Sequence, residues 1–226
     1  MTKTMRALAI LVLPLIALSL ACSALGGPQV SVPTGVSVPT ADNTTVLFQD
    51  DFSDTSSGWD RVQTDEGVTD YDSGTYRIFV DKTQHDYWAN PGRSFTDAQV
   101  EVDATKVAGP DQNDFGLICR SQDTKNFYAF IVGSDGTYAI EKFSDSGSEI
   151  LGSDAMQQSD AIRQGAATNH LRADCVGDSL SLYVNGQLVH SVTDSSYASG
   201  DVGLIAGTYD EAGADIAFDD LVVRQP

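Results

Sequence analysis

Glu101 and Asp103 are the residues whose types and spacing offer acid–base chemistry. They lie two positions apart in the segment 99–107, where apolar and polar residues alternate. Because residues two apart share a face of a strand, positions 101, 103 and 105 are predicted to lie together. Position 105 is a threonine, so this face offers two carboxylates. A plain solvent-exposed face is the alternative interpretation, since the chain has 32 acidic residues.

Other catalytic arrangements find no support among the residues. The histidines are His85, His170 and His190, and their spacing is not that of zinc ligands. The chain contains no Gly-x-Ser-x-Gly nucleophile elbow and no phosphate-binding glycine loop. The sequence therefore leans against an enzyme without excluding one.

The three cysteines divide into one near the N-terminus, Cys22, and two farther along, Cys119 and Cys175. If Cys22 is modified, the other two form an even pair. In an oxidising compartment such a pair favours a disulfide. Two buried free thiols are the alternative.

Residues 1–21 have the organisation of a signal peptide. Two basic residues, Lys3 and Arg6, precede an uncharged apolar run that is too short to span a bilayer comfortably as a helix. The run ends in Leu-Ala-Cys, which resembles the lipobox of bacterial lipoproteins. We expect lipidation of Cys22, export, and anchoring at the cell envelope with the folded domain outside the cytoplasm. Ordinary cleavage before an unpaired thiol and an uncleaved anchor are the alternatives.

Residues 22–45 are predicted to be the lipid anchor and a linker. The pentamer Val-Ser-Val-Pro-Thr occurs at 30–34 and again at 36–40. A segment so poor in large side chains cannot bury enough surface to fold. An edge strand is the alternative, but prolines disfavour it. The folded domain is therefore predicted to span 46–226.

The formal net charge of −19 limits the possible partners. Removal of the leader also removes Lys3 and Arg6, which makes the charge −21. Such an excess of negative charge repels phosphate backbones and anionic headgroups. We therefore expect no nucleic-acid partner and no membrane contact except through the lipid.

Short alternating runs separated by Gly, Asp, Asn and Ser predict an antiparallel β-sandwich without a convincing amphipathic helix. Hairpins are expected at Gly177-Asp178 and Asn185-Gly186, and a turn at Ser134-Asp135-Gly136. The predicted strands are 74–80, 99–107, 114–121, 127–132, 137–143, 170–176, 179–184, 187–192, 202–206 and 215–223.

Several segments resemble the concanavalin A-like lectin/glucanase jelly roll, and within it the laminin-G-like and 3-keto-disaccharide hydrolase-like domains of bacterial surface lipoproteins. The segments are Asp50-Asp51-Phe52-Ser53-Asp54, Gly58-Trp59, Asp114 to Arg120, Asn126-Phe127-Tyr128, Leu182 to Gly186 and Phe218 to Val223. The resemblance implies two curved antiparallel sheets and a concave face that binds saccharide in many relatives. It is specific for fold and weak for activity.

The resemblance also implies candidate sites. Laminarinase-type relatives carry Glu-x-Asp-x-x-Glu on one strand; here Lys106 replaces the last acid, so a glycosidase mechanism would need a carboxylate from elsewhere, such as Glu141. A binding face is expected to combine an aromatic platform with charged groups. Its predicted residues are Trp88, Glu101, Asp103, Arg120 and Tyr128. Core packing is the alternative for Trp88 and Tyr128, and a salt bridge for Arg120.

A structural calcium is the last implied site. Neighbouring first and last strands would bring Asp50 and Asp51 close to Asp219 and Asp220, and carboxylate oxygens are the ligands that Ca²⁺ prefers. Side chains that point to different faces are the alternative. The combined hypothesis is a surface-anchored, non-catalytic module that binds a glycan or an extracellular protein. A surface glycan-processing hydrolase of the 3-keto-disaccharide type is the alternative, and a structural envelope component a third.

Overall fold

A computed structural model describes residues 44–226, and these residues form strands, turns and loops only. Within that range there is no helix long and apolar enough to cross a membrane. The predictions for the leader, for Cys22 and for the linker up to position 43 lie outside the described residues.

The first sheet has nine antiparallel strands, and the last strand of the chain, β17, lies near its centre. In spatial order they are β15 (Gln187–Thr193), β14 (Ser179–Val184), β13 (Thr168–Val176), β7 (Ala98–Ala108), β17 (Ala214–Arg224), β4 (Thr75–Val80), β3 (Gly67–Asp72) and β2 (Val62–Gln63), with β1 (Val46–Asp50) also paired to β17. The predicted hairpins at 177–178 and 185–186 are confirmed, since β13, β14 and β15 pair in sequence order.

The second sheet has eight antiparallel strands, with β8 and β16 at its middle. In spatial order they are β11 (Gly147–Ile150), β10 (Thr137–Ser144), β9 (Phe127–Val132), β8 (Asn113–Ser121), β16 (Gly200–Thr208) and β5 (His85–Ala89), with β12 (Gln157–Gln158) paired to β10 and β6 (Ser94–Phe95) paired to β16. The all-β, two-sheet prediction is confirmed.

The main core lies between the sheets and is built from alternate residues of each strand. In β7 these are Val100, Val102 and Ala104, and in β8 Phe115 and Leu117, all at most 1% exposed. The predicted disulfide is present: Cys119 of β8 is joined to Cys175 of β13. Because these strands belong to different sheets, the disulfide links the two layers covalently through the core.

The outer face of the second sheet also carries a buried apolar cluster. Its members are out of phase with the main core: Ile118, Phe127, Ala129, Ile131, Ala139 and Ile205. Trp88, Phe143, Ile150 and Met156 are partly buried and pack on this cluster. A sheet face that contacts only water normally carries polar residues. The apolar residues on this face therefore indicate that it contacts something other than water.

Candidate functional site

Two aspartates face each other on the outer side of the second sheet. Asp86 of β5 pairs with Gly207 of β16, and Gly207 pairs on its other side with Asp114 of β8. A side chain at position 207 would collide with Oδ1 of Asp86 and lie 2.7 Å from Oδ1 of Asp114. The glycine therefore leaves the space in which the two carboxylates meet.

Glu141 of β10 brings a third carboxylate to the same pocket. It pairs with Ala129, which belongs to the outer apolar cluster, and so it faces outward. The pocket has a volume of about 250 Å³, and we call it the acidic pocket. Its lining residues are Gln84, Asp86, Asp114, Ile131, Glu141, Phe143, Ser148, Ile205, Thr208 and Tyr209.

Burial raises the pKa of all three carboxyl groups. For Asp114 burial raises the pKa by a large amount, and repulsion from Asp86 and Glu141 adds to the rise. For Asp86 burial raises the pKa and nearby His85 opposes the rise. Burial, followed by repulsion from Asp86, raises the pKa of Glu141 to about 7. The pocket can therefore hold protons near neutral pH.

A row of aromatic rings crosses the same face. Trp88 and Phe127 have ring centroids 5.5 Å apart, and Phe127 stacks on Phe143 at 4.5 Å with an interplanar angle of 14°. Phe127 is fully buried, whereas its two neighbours are half-buried. The half-buried rings offer faces on which an apolar ring surface can pack.

A second pocket adjoins the acidic pocket at Asp86. Its volume is about 490 Å³, and it is lined by Asp60, Arg61, Val62, His85, Asp86, Tyr87, Trp88 and Thr124. The aromatic row connects the two, since Trp88 lines this second pocket and Phe143 lines the acidic pocket. We call the two pockets together the groove.

Only one of the five predicted ligand-binding residues, Trp88, lies in the groove. Glu101 and Asp103 lie on the outer face of the first sheet, where Arg224 Nε is 3.7 Å from Glu101 and His170 Nδ1 is 2.7 Å from Asp103. The two carboxylates do share a face, as alternation predicted. That face belongs to the other sheet, so neither residue can act together with Glu141.

Arg120 and Tyr128 are buried structural residues in this fold. Arg120 is 2% exposed, lies at a positive φ of 55°, and donates hydrogen bonds to the carbonyl oxygens of Thr96 and Tyr197. Tyr128 is fully buried among the main core residues, and its hydroxyl donates to Asp194 Oδ1 at 2.5 Å. Tyr128 thus packs in the main core and Arg120 forms a salt bridge with Asp97 at 3.3 Å, which are the alternatives given for these two residues. Ligand binding by either residue stays a prediction.

The four aspartates proposed for calcium do not form a cage. Asp50 is buried and accepts hydrogen bonds from Phe52 N, Ser57 Oγ and Trp59 Nε1, which occupy both its oxygens. Within residues 44–226 no group of three or more His, Cys, Asp or Glu is arranged to hold a metal ion. Asp50 therefore does not fit as a ligand.

Calcium binding by Asp51, Asp219 and Asp220 stays a prediction. Burial, followed by repulsion from Asp220 and Asp51, raises the pKa of Asp219. If a calcium ion is held there, excess chelator lowers the melting temperature of the protein. An unchanged melting temperature would contradict the prediction.

The sequence did not predict Asp86 and Asp114 as site residues. It did suggest Glu141, but as a carboxylate acting with Glu101 and Asp103. A signal was present in each segment. In Asp-Phe-Gly-Leu-Ile-Cys from 114 to 119, a carboxylate shares a strand face with glycine and isoleucine. In Asp-Tyr-Trp, an acid and a tryptophan lie two apart, which places them on one face. The sequence does not show that the two segments pair with opposite edges of β16, which brings them together.

The fold is the concanavalin A-like jelly-roll sandwich, as the resemblance implied. Among solved structures, the carbohydrate-binding module CBM66 from Bacillus subtilis is 22% identical, with a TM-score of 0.57 over 74% of this chain and 96% of that chain. A Bacillus subtilis protein of unknown function with a galectin-like fold is 12% identical, with a TM-score of 0.57 over 80% and 98%. A Bacillus licheniformis β-glucanase is 13% identical, with a TM-score of 0.52 over 79% and 97%. No family model and no curated protein matches the chain.

Proposed function

We propose that the domain binds a glycan in the groove, and that a lipid on Cys22 displays it outside the cytoplasm. The aromatic row of Trp88, Phe127 and Phe143 beside three carboxyl groups carries this proposal. Sugar rings present apolar faces that pack on aromatic rings, while their hydroxyls hydrogen-bond to carboxyl groups. The groove offers both kinds of contact side by side. Solved structures named as a carbohydrate-binding module and a β-glucanase share the fold, which supports the proposal.

Replacement of Trp88 tests the binding site. We expect Trp88→Ala to weaken glycan binding by about tenfold or more, since aromatic anchors dominate binding energy. A glycan array identifies the ligand, and calorimetry on the purified protein measures its affinity. Leu188→Ala is the matched control, because Leu188 is 55% exposed on β15 of the other sheet. Unchanged affinity in Trp88→Ala would contradict the groove as the site, and binding of an extracellular protein without any glycan would favour a protein partner.

Glycan hydrolysis is a second candidate function, and the raised pKa of Glu141, at about 7, is the observation that favours it. Hydrolysis of a glycosidic bond needs one protonated and one ionised carboxyl group. Burial raises the pKa of Glu141, Asp86 and Asp114, so at neutral pH the pocket can present both forms. Release of reducing sugar, or of a 3-keto product, by the wild type but not by Glu141→Gln would establish catalysis. Binding without turnover would establish a non-catalytic module.

A further inference from the structure

The acidic pocket collects carboxyl groups that have no basic partner. In the part of the chain that the structure describes, no salt bridge involves Asp86, Asp114 or Glu141. No lysine, arginine or histidine lines the pocket. Asp114 is only 5% exposed, and the Tyr209 hydroxyl, which lines the same pocket, donates its hydrogen bond to Met156 Sδ at 3.2 Å.

Other sequestered aspartates of this protein are compensated. Asp215 receives two hydrogen bonds from Arg77, at 2.7 and 2.8 Å. Asp174 receives two from Arg172, both at 3.0 Å. Asp50 accepts three hydrogen bonds from neutral donors. The fold thus supplies partners for these three acids, whereas Asp86, Asp114 and Glu141 line one pocket beside the aromatic row and form no salt bridge within the described residues.

We infer that the glycan bound in the groove carries a free amino group, as in an oligomer of glucosamine, and that its ammonium enters the acidic pocket. This inference rests on the proposed glycan-binding function and names the class of glycan. An ammonium donates three hydrogen bonds and brings the positive charge that the three carboxyl groups lack. The rings of Phe143 and Tyr209 line the same pocket, and aromatic faces attract cations.

Anionic glycans, neutral glycans and bare metal ions fit the acidic pocket less well than an ammonium group. An anionic glycan would meet like charge there and be repelled. A neutral or N-acetylated glycan brings no positive charge to the three carboxyl groups, so it gains only the weaker hydrogen bonds between uncharged groups. A bare metal ion needs ligands at short fixed distances, and none of the groups in the described residues has that arrangement. Hydrogen bonds to an ammonium need no such fixed coordination geometry.

The test compares glucosamine tetramer with N-acetylglucosamine tetramer and with cellotetraose, by calorimetry on the purified full chain at mildly acidic pH, where the amines are protonated. We expect the glucosamine tetramer to bind at least about tenfold more tightly than the neutral oligomers, since hydrogen bonds between charged groups are the stronger ones. Its binding should also release protons, seen as an enthalpy that changes with the ionisation heat of the buffer.

Near-isosteric variants distinguish an effect of the acidic pocket on binding from an effect of the protein's overall negative charge. Asp114→Asn and Glu141→Gln are expected to remove the preference for the glucosamine tetramer. Asp178→Asn, which neutralises an exposed acid in the hairpin between β13 and β14, should keep it. Thermal melts confirm that each variant is folded.

The outcomes distinguish the two proposals. Equal affinity for the neutral and charged tetramers, or a preference that survives Asp114→Asn, overturns the amino-glycan inference while leaving glycan binding intact. A lysine tetrapeptide that binds as tightly as the glucosamine tetramer also overturns it, because the pocket then recognises charge without a sugar. Failure of every saccharide to bind overturns glycan binding itself.

Discussion

Glu141 couples the stability of the fold to pH. Its folded-state pKa is about 7 because burial and Asp86 disfavour the ionised form, and its ordinary value is 4.5. Between these values the folded state holds a proton that the unfolded state has released, so the free energy of unfolding falls as pH rises. Over the whole interval, this residue lowers stability by up to about 3 kcal/mol.

The Glu141→Gln variant checks this dependence, because glutamine is uncharged throughout. We expect the variant and the wild type to have similar stability below the ordinary pKa of glutamate. Above a pH of about 7 the variant should be the more stable protein. Urea unfolding across the interval measures the difference. A difference that does not grow with pH would show that Glu141 ionises normally in the folded protein.

Tyr128 is expected to matter for stability and not for ligand binding. Its hydroxyl donates to Asp194 and accepts a hydrogen bond from Tyr197 N at 3.1 Å. Burial and Asp194 raise the pKa of Tyr128 to about 12. Removing the hydroxyl in Tyr128→Phe should lower the free energy of unfolding by about 1–3 kcal/mol, because Asp194 loses a buried donor.

Glycan affinity of Tyr128→Phe should equal that of the wild type, measured by the calorimetry used for Trp88→Ala. Tyr183→Phe is the control for stability, since the Tyr183 hydroxyl makes no hydrogen bond within residues 44–226 and Arg172 lies 3.9 Å from its ring centroid. A large loss of affinity with unchanged stability in Tyr128→Phe would restore the original ligand-binding assignment.

At the level of strands, sequence pattern predicted those elements whose ends carry turn residues. Strands β9 (Phe127–Val132) and β14 (Ser179–Val184) begin and end at the predicted residues. For β14 the reason is local: Gly177-Asp178 precedes it and Asn185-Gly186 follows it, and Gly177, Asn185 and Gly186 all have positive φ. Hairpin chemistry of this kind is readable from a few neighbouring residues.

Strands with weaker local signals were missed, and β5 (His85–Ala89) is the important case because it supplies Asp86 and Trp88. Its residues are His-Asp-Tyr-Trp-Ala, which reads as a polar segment. The strand forms because Tyr87 and Ala89 face the main core and β16 supplies a partner for its backbone. Strand β16 lies more than a hundred positions further along the chain, so no local sequence pattern predicts the pairing of β5 with β16 that forms the groove.

The disulfide joins one strand of the first sheet to one strand of the second sheet. Cys119 and Cys175 are 56 positions apart, and a closed loop of that length stabilises the fold by about 4 kcal/mol in the chain-entropy model. We expect Cys119→Ser with Cys175→Ser to lower the free energy of unfolding by roughly that amount. Urea unfolding of the wild type with and without reductant gives the same comparison without mutation. Equal stability in all forms would contradict a structural disulfide.

At the scale of the whole molecule, the positions of the two ends of the domain relative to the groove bear on how a ligand can reach it. Gln225 N donates a hydrogen bond to Thr45 O at 2.9 Å, and β1 pairs with β17, so both ends of the domain lie on the first sheet. The acidic pocket lies on the outer face of the second sheet, while the adjoining pocket of the groove is also lined by Val62 of β2 in the first sheet. Both ends of the described residues therefore lie on the layer that does not carry the acidic pocket.

One paired experiment tests both the proposed anchor and its compatibility with glycan binding. Cys22→Ala should move the protein from the membrane fraction to the soluble fraction, because it removes the predicted lipid attachment point. The anchored wild type and the released variant should bind glycan with equal affinity, since Thr45 pairs with the end of the chain on the sheet that does not carry the acidic pocket. Unchanged membrane fractionation of Cys22→Ala would contradict lipidation. Weaker binding by the anchored protein, with normal release of the variant, would show that the membrane obstructs the groove.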